Sequence, residues 1–348
     1  MRSEPLTRSV KIGIAILIAM YAVAIFAEFF APYDYREQTR QEPSAPATTI
    51  RFVDAENGFR LRPFIYRSRL VDAREYEYEE DTSTAHPVAF LVRGTSYDLV
   101  GLIHTDLHFF GVAADEGSTA PQMHLLGTDQ LGRDRFSRLM MATRFSLIVS
   151  PAGTILACLI GVAFGAISGY SRRLVDSAMM SVADTVIALP TLILILAARA
   201  AFPLEMPPMR AGMMLITIFA LTGWAEMARL ARGQVVAVKN LEFVTAARAL
   251  GAGEGRILSA HVLPNIAGPL LVQATLILPA FFLAEVALSF LGVGLQEPEP
   301  SLGNMLTTAS DLTQLGRHPF LLLSPAIVIF LFVLATRLLS RGRRAVVS

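Results

Sequence analysis

Four carboxylates stand where a carboxylate is costly: Glu28, Asp184, Glu226 and Glu285 all fall inside long apolar runs. At the centre of a membrane helix each costs about 2.5–3.5 kcal/mol, so each must face protein or water. Such groups mark ion pathways in some transporters. Near a helix end, or bonded to a neighbouring helix, they are structural. Asp184 is the most central, and Pro190 loosens the backbone one to two turns later. The other reactive residue types form no constellation. The six histidines (His86, His104, His108, His124, His261 and His318) are scattered. His104 and His108 could share a helix face at i, i+4, but a third ligand is missing, so surface histidines are expected and no metal site. The only cysteine, Cys158, lies in an apolar run and reads as a small packing residue. No G-x-x-x-x-G-K-[ST] loop, G-x-S-x-G elbow or H-E-x-x-H helix occurs. The Gly-rich stretch Gly251–Arg256 lacks both the Lys-Ser/Thr ending and a preceding strand. No catalytic residue and no cofactor are therefore expected in this chain.

The elements that carry these residues are membrane spans. Of 348 residues, 53% are hydrophobic and only 17% charged, against about a quarter charged in soluble domains, and mean hydropathy is +0.50. Six runs are long enough to cross a bilayer: 12–30, 145–170, 174–198, 211–228, 266–291 and 320–339. The first has the basic flank of a signal peptide (Arg2, Arg8, Lys11), but its apolar core is too long and Glu28 and Ala31-Pro32 replace a cleavage site. Basic residues gather before the first run, at Arg172 and Arg173, at Arg229, Arg232, Lys239, Arg248 and Arg256, and at Arg337, Arg341, Arg343 and Arg344. Alternate loops offer only Arg199, Arg210 and Arg317. Both termini are thus expected to be cytoplasmic and residues 31–143 outside. A net charge of +1 gives no reason to expect nucleic acid.

Residues 31–143 read as a small β-rich unit. Strand-like runs lie at 49–53, 59–67, 74–79 and 88–93, and Asn57-Gly58 is a hairpin signal. The alternative is a largely unfolded, charged loop. In the second span Gly153, Ala157, Gly161, Gly165 and Gly169 recur every four residues and line one face. Small residues at that spacing admit another helix closely, either in a partner subunit or within this chain.

The most specific signal lies between spans four and five. Glu242 to Leu250 is a short helix of good formers, Gly251 is its terminator, and Pro264 restarts the chain at the foot of span five. Ala246 and Ala247 leave a surface of low relief, with Arg248 and Arg256 at its rim. This stretch resembles the cytoplasmic coupling motif of ATP-binding-cassette importer permeases: E-A-A, three residues, G, nine residues, I-x-L-P. Ala246, Ala247, Gly251, Leu263 and Pro264 match it, while Thr245 stands for Glu and His261 for Ile. Both departures resemble the dipeptide and oligopeptide branch. So do His124–Asp134, which carries Gly127, Thr128, Asp129, Gly132, Arg133 and Asp134; Ala284–Gly294; and Ser301-Leu302-Gly303, where Leu302 replaces Trp. The tail Thr336–Arg344 departs from the branch.

The resemblance implies an all-α membrane protein of six spans in the type I importer manner, with the extracytoplasmic insertion between helices one and two. Its parts are 1–30 (N-terminus and first span), 31–143 (insertion and connector), 144–340 (five-helix core with coupling loop 240–264) and 341–348 (tail). It implies a pore-forming subunit for peptides or similar solutes in the cytoplasmic membrane. The implied partners are a second homologous permease, two cytoplasmic ATPases that bind ATP and Mg, and an extracytoplasmic solute-binding protein. Residues 40–120, outside and β-leaning, are placed to help dock that protein or cap the outer mouth, with a passive decoration as the alternative. Glu242, Thr245, Ala246, Ala247, Arg248, Gly251, His261, Leu263 and Pro264 are the implied ATPase contact. A secondary, ion-coupled transporter is the competing expectation, although no internal repeat is visible.

Overall fold

The computed structural model describes residues 7–54, 58–112, 121–307 and 320–347. Asn57 and His318, both singled out above, lie outside them. Chain contacts divide the protein into two units, one of residues 1–18, 146–294 and 330–348, the other of 19–145 and 295–329.

The first unit is helical. Helix α1 (Arg8–Ile25) begins in it, α2 (Ala27–Phe30) follows in the second unit, and α3 (Arg135–Tyr170) runs into the first. Then come α4 (Arg173–Ala188), α5 (Thr191–Arg199), α6 (Pro208–Val238), α7 (Glu242–Ala249), α8 (Glu254–Ile257), a π turn (Leu258–Val262) and α9 (Leu263–Phe290). Helices α10 (Leu302–Thr307) and α11 (Phe320–Val347) complete the described chain. Among the described residues five helices are long and apolar enough to cross a membrane, and α4 with α5 makes a sixth only as one broken span bent by 88°. The expected single helix over 174–198 is therefore interrupted. Pro190 supplies no N–H and forces its neighbour out of the helical region, so Leu189 is extended at φ −87°, ψ 136°.

The glycine stripe of α3 packs within this chain, on α6. A Cβ at Gly161 would lie 2.5 Å from the Trp224 carbonyl oxygen, at Gly165 2.3 Å from that of Ala228, and at Gly169 2.8 Å from Val235 Cγ1. In lipid, where burial of apolar surface offers no drive, such close backbone approach is what holds helices together. Phe219 and Phe281 stack at 4.7 Å between α6 and α9, and Phe282 and Phe332 at 4.1 Å between α9 and α11. Arg199, read above as a loop cation, is buried at 2% exposure. Its guanidinium donates to the carbonyls of Val293 (2.5 Å), Phe202 and Pro203 (both 3.0 Å), satisfying acceptors of the loops that follow α9 and α5.

The second unit holds an antiparallel sheet in the order β1-β2-β3-β4: β1 (Arg51–Asp54), β2 (Gly58–Asp72), β3 (Glu77–Leu99) and β4 (Ile103–Val112). The runs expected at 74–79 and 88–93 do not match separate strands. Arg74–Tyr76 form the β2–β3 turn, where Asp72 Oδ1 accepts from Arg74 N at 2.7 Å and Tyr76 takes φ +53°. The remainder is one long strand. Ile65, Val88, Phe110, Val112 and Met123 make the buried core beneath the sheet. His104 and His108 stand on strand β4, not a helix. His108 is buried, its ring nitrogens 2.6 Å from the Ala31 carbonyl and 2.9 Å from that of Thr95, which overturns the expectation of a surface residue.

Candidate functional site

The loop between α6 and α9 is held from both ends. At its base Lys239 Nζ donates to the Gly169 carbonyl at 2.6 Å, occupying an acceptor that the end of α3 leaves open. Val244, Ile257 and Val262 are fully buried and anchor the loop to the helices beneath it. Between these anchors, α7 ends in a Schellman motif: Ala252 N bonds to the Ala247 carbonyl at 3.1 Å and Gly251 N to that of Arg248 at 3.0 Å. That closure requires Gly251 at φ +84°, where a Cβ would meet nothing within 4 Å, so glycine is demanded by backbone conformation and not by space. Arg248 then reaches across the turn to Glu254, Nε to Oε1 at 2.6 Å and Nη2 to Oε2 at 3.1 Å. This bidentate bond raises the Arg248 pKa and lowers that of Glu254.

The loop's outward surface mixes apolar and polar side chains. Ala246 is exposed and Ala247 half-buried, Thr245 and Glu242 are exposed, and Thr245 Oγ1 returns to the Glu242 carbonyl at 2.9 Å. Leu250 is 89% exposed, with Phe243 and Leu241 partly exposed beside it on the chain. These three carry no motif letter, so pattern matching passed over them. Pro264 falls in the first turn of α9, at the foot of the long helix where the chain is expected to restart. The helical path opens at Glu254 and continues through the π turn, where the Leu263 N–H bonds back to Leu258 and Asn265 Nδ2 to the His261 carbonyl at 2.6 Å. A π turn is one way to absorb the hydrogen bond that a proline cannot donate. Leu263 and Pro264 lie at the first turn of α9, and His261 is half-buried.

The second motif, 124–134, is built the opposite way. Asp134 precedes α3 and caps it, Oδ2 accepting from Ser137 N and Oγ, both at 2.7 Å. Its Oδ1 lies 2.8 Å from His124 Nδ1, while His124 Nε2 is 2.9 Å from Glu42 Oε2. Burial drives the His124 pKa down, but the bonds to Asp134 and Glu42 outweigh it and carry it to about 9. The imidazole is therefore a cation at neutral pH and no general base. Asp129 Oδ2 binds Arg133 Nε at 2.6 Å, and Arg133 and Arg138 converge on Glu297 at 2.7 and 2.8 Å. Thr128 Oγ1 accepts from Ala45 N at 2.8 Å. Gly127 and Gly132 sit at φ +73° and +75°, and a Cβ would fall 2.4 Å from the Ala45 carbonyl oxygen and 2.0 Å from that of Thr39. His124 is thus a buried, paired group. Glu42, the distant partner of His124, and Glu297, that of Arg133 and Arg138, carried no sequence signal.

The four carboxylates of the apolar runs separate by partner. Glu28 pairs with Arg144 and Asp184 with Arg229. Glu285 is fully buried and accepts from Ser146 Oγ at 2.5 Å and Ser289 Oγ at 3.1 Å. Among the described residues Glu226 receives the side-chain amide of Gln273, at 3.2 Å. No cluster of metal-ligating side chains occurs among the described residues.

Comparison with known proteins gives this arrangement its relatives. The profile of the family described as binding-protein-dependent transport system inner membrane component matches residues 161–342, just over half of the chain. A second profile, the N-terminal TM domain of oligopeptide transport permease C, matches residues 8–46. The dipeptide transport system permease protein DppC of Bacillus subtilis (strain 168) is 39% identical over 63% of this chain and 66% of its own length. The oligopeptide transport system permease protein OppC of the same organism is 39% identical over 58% of this chain and 64% of its own length. The di/tripeptide transport system permease protein DppC of Pseudomonas aeruginosa (strain UCBPP-PA14) is 37% identical over 63% and 70%. The chain thus spans a little under two thirds of the two Bacillus proteins.

Proposed function

The chain belongs to the family of binding-protein-dependent transport system inner membrane components, and we propose on that premise that it is a pore-forming permease subunit of an ATP-driven importer of short peptides or similar solutes. The printed names of its relatives, permease proteins of dipeptide, oligopeptide and di/tripeptide transport systems, support the peptide class. The chain performs no bond chemistry. Two cytoplasmic ATPases bind ATP and Mg, a second homologous permease completes the pore, and a solute-binding protein delivers cargo from outside. Both termini and the α6–α9 loop are cytoplasmic, α4 and α5 form one broken span of six, and the sheet β1–β4 lies outside. Residues 144–340 are the transport core and 31–143 the insertion.

The observation that carries this reading is the loop of α7 and α8: rigidly closed by its own hydrogen bonds, yet turning Ala246, Ala247 and Leu250 away from its own chain. Apolar side chains held out on a rigid loop suit a groove on a partner protein. Closure of that partner on ATP then moves the loop, and through buried Val244, Ile257 and Val262 it moves α6 and α9. The test is reconstitution of the four-component importer in proteoliposomes with Ala247→Arg, which places a charge in the contact. Transport is expected to fall to background and ATP hydrolysis to lose its response to loaded binding protein, with assembly intact. Normal coupled transport in that variant, or proton-driven uptake by the chain alone, overturns the reading. For topology, cysteines at Ser171 and Arg341 should resist an impermeant thiol reagent in intact cells, whereas one at Thr82 reacts.

A further inference from the structure

Of the four carboxylates on apolar runs, Glu226 lines a cavity. Glu28 and Asp184 hold arginines, and Glu285 is enclosed with two serines. Glu226 is exposed, bonds to Gln273 Nε2 at 3.2 Å, and has no cation partner among the described residues. The cavity, about 420 Å³ between α5, α6 and α9, falls within the range of roughly 300–1,000 Å³ that suits small-molecule sites. Two features of the sequence open it. The break at Pro190 starts α5 at its wall, so that Thr191 lines it. On α9 the residues facing it include small ones at helical spacing, Ala280, Ala284 and Ala287, beside the larger Leu276, Phe281 and Leu283. Its walls are largely apolar, and its charged group is Glu226, bonded to Gln273.

A carboxylate on a membrane helix, fixed by one amide and open to a cavity, lacks the positive charge that would compensate it. We propose that this cavity is a solute-contact site whose Glu226–Gln273 end takes a protonated primary amine, with the apolar body of the solute along α9. The solute assignment rests on the permease reading above and deepens it, since it names the group the permease itself selects. An amine-headed lipid offers the same chemistry, and the experiment separates the two.

The full chain in phosphatidylcholine nanodiscs, with Cys158→Ser and Leu276→Cys, is treated with cationic 2-aminoethyl methanethiosulfonate and with neutral methyl methanethiosulfonate. The ratio of the two labelling rates reads the attraction of the cavity for an ammonium group. Glu226→Gln is expected to lower that ratio about tenfold, and Glu226→Asp to keep most of it. Tri-alanine, but not its N-acetyl form, is expected to protect the cysteine, and only while Glu226 is present. A ratio unchanged by Glu226→Gln overturns the site, leaving the Ala247→Arg test of the permease untouched. Protection by phosphatidylethanolamine in the nanodisc, with none by tri-alanine, assigns the amine to lipid and overturns the solute claim. A peptide-protected, Glu226-dependent cysteine supports it even where coupling to an ATPase fails.

Discussion

The motif before α3 and the motif before α9 both resemble the same family, yet they are opposite kinds of object. Around residues 124–138 nearly every polar side chain is buried and answered by the chain itself: Asp134 caps a helix, His124 joins Asp134 to Glu42, and Arg133 and Arg138 share Glu297. Around residues 242–264 the hydrogen bonds close only the loop's own turn, and the remaining surface, Leu250 above all, is left uncovered. Recognisable residues thus serve two ends. One set makes the protein fold, and the other, on the reading proposed above, is finished by a partner. Type and spacing do not distinguish the two; burial and hydrogen-bond accounting do.

The sharpest way to break this contrast is to make one change in both places. Gly132→Ala drives a methyl into the Thr39 carbonyl at a backbone conformation alanine resists, and is expected to cost about 2–5 kcal/mol. Thermal unfolding of the purified protein, or its disappearance from membranes, measures it. A Gly132→Ala protein as stable as wild type would show that the knot yields, and the contrast would be gone. Next in size is the His124 bridge. Its folded pKa of about 9 lies above the ordinary value of 6.5, so its contribution is complete below about pH 6.5 and is lost as pH rises through about 9. The loss should approach about 3 kcal/mol. Unfolding temperature should therefore decline from pH 7 to pH 10, and His124→Gln, less stable throughout, should lose that dependence. Gly251→Ala meets no atom and is expected to cost only the left-handed backbone penalty of about 1–2 kcal/mol. Fluorescence-monitored melting of Gly132→Ala and Gly251→Ala side by side orders the two regions.

Much of the helical architecture is legible because its signals are local: apolar length, the four-residue glycine repeat, and Gly251 after a run of helix formers all act within a few turns. The short helix from Glu242 and its stop at Gly251 lie where propensity and terminator place them. The failures share a physical origin as well. Pro190 breaks a run whose hydropathy is continuous, because hydropathy averages over the one missing N–H that decides the backbone. Strand β3 absorbs two expected strands, since alternation through Arg74–Tyr76 does not betray the turn that Asp72 imposes. Glu42 and Glu297 were invisible, standing 82 and 164 residues from the side chains they serve. Pairings of that range leave no periodic trace.

The smallest expected effect on stability is the most telling for function. Leu250 follows the last turn of α7 with its side chain almost wholly in solvent, so Leu250→Asp removes no buried contact and breaks none of the bonds that close the loop. Such a surface change should shift stability by no more than about 0.5 kcal/mol, and melting should be indistinguishable from wild type. On the proposed reading, this exposed apolar group makes its contact outside the chain. In that contact the aspartate would be desolvated without a counter-charge, the penalty that makes central interface positions intolerant. The reconstituted importer carrying Leu250→Asp should therefore keep its fold, its permease pairing and its basal hydrolysis, while stimulation by loaded binding protein falls at least tenfold. Paired with Gly132→Ala, it separates the two regions along independent axes: one variant unfolds, the other folds and does not transmit. Normal stimulation in Leu250→Asp would return this surface to the status of ordinary exposed side chains and leave α7 a connector between two spans.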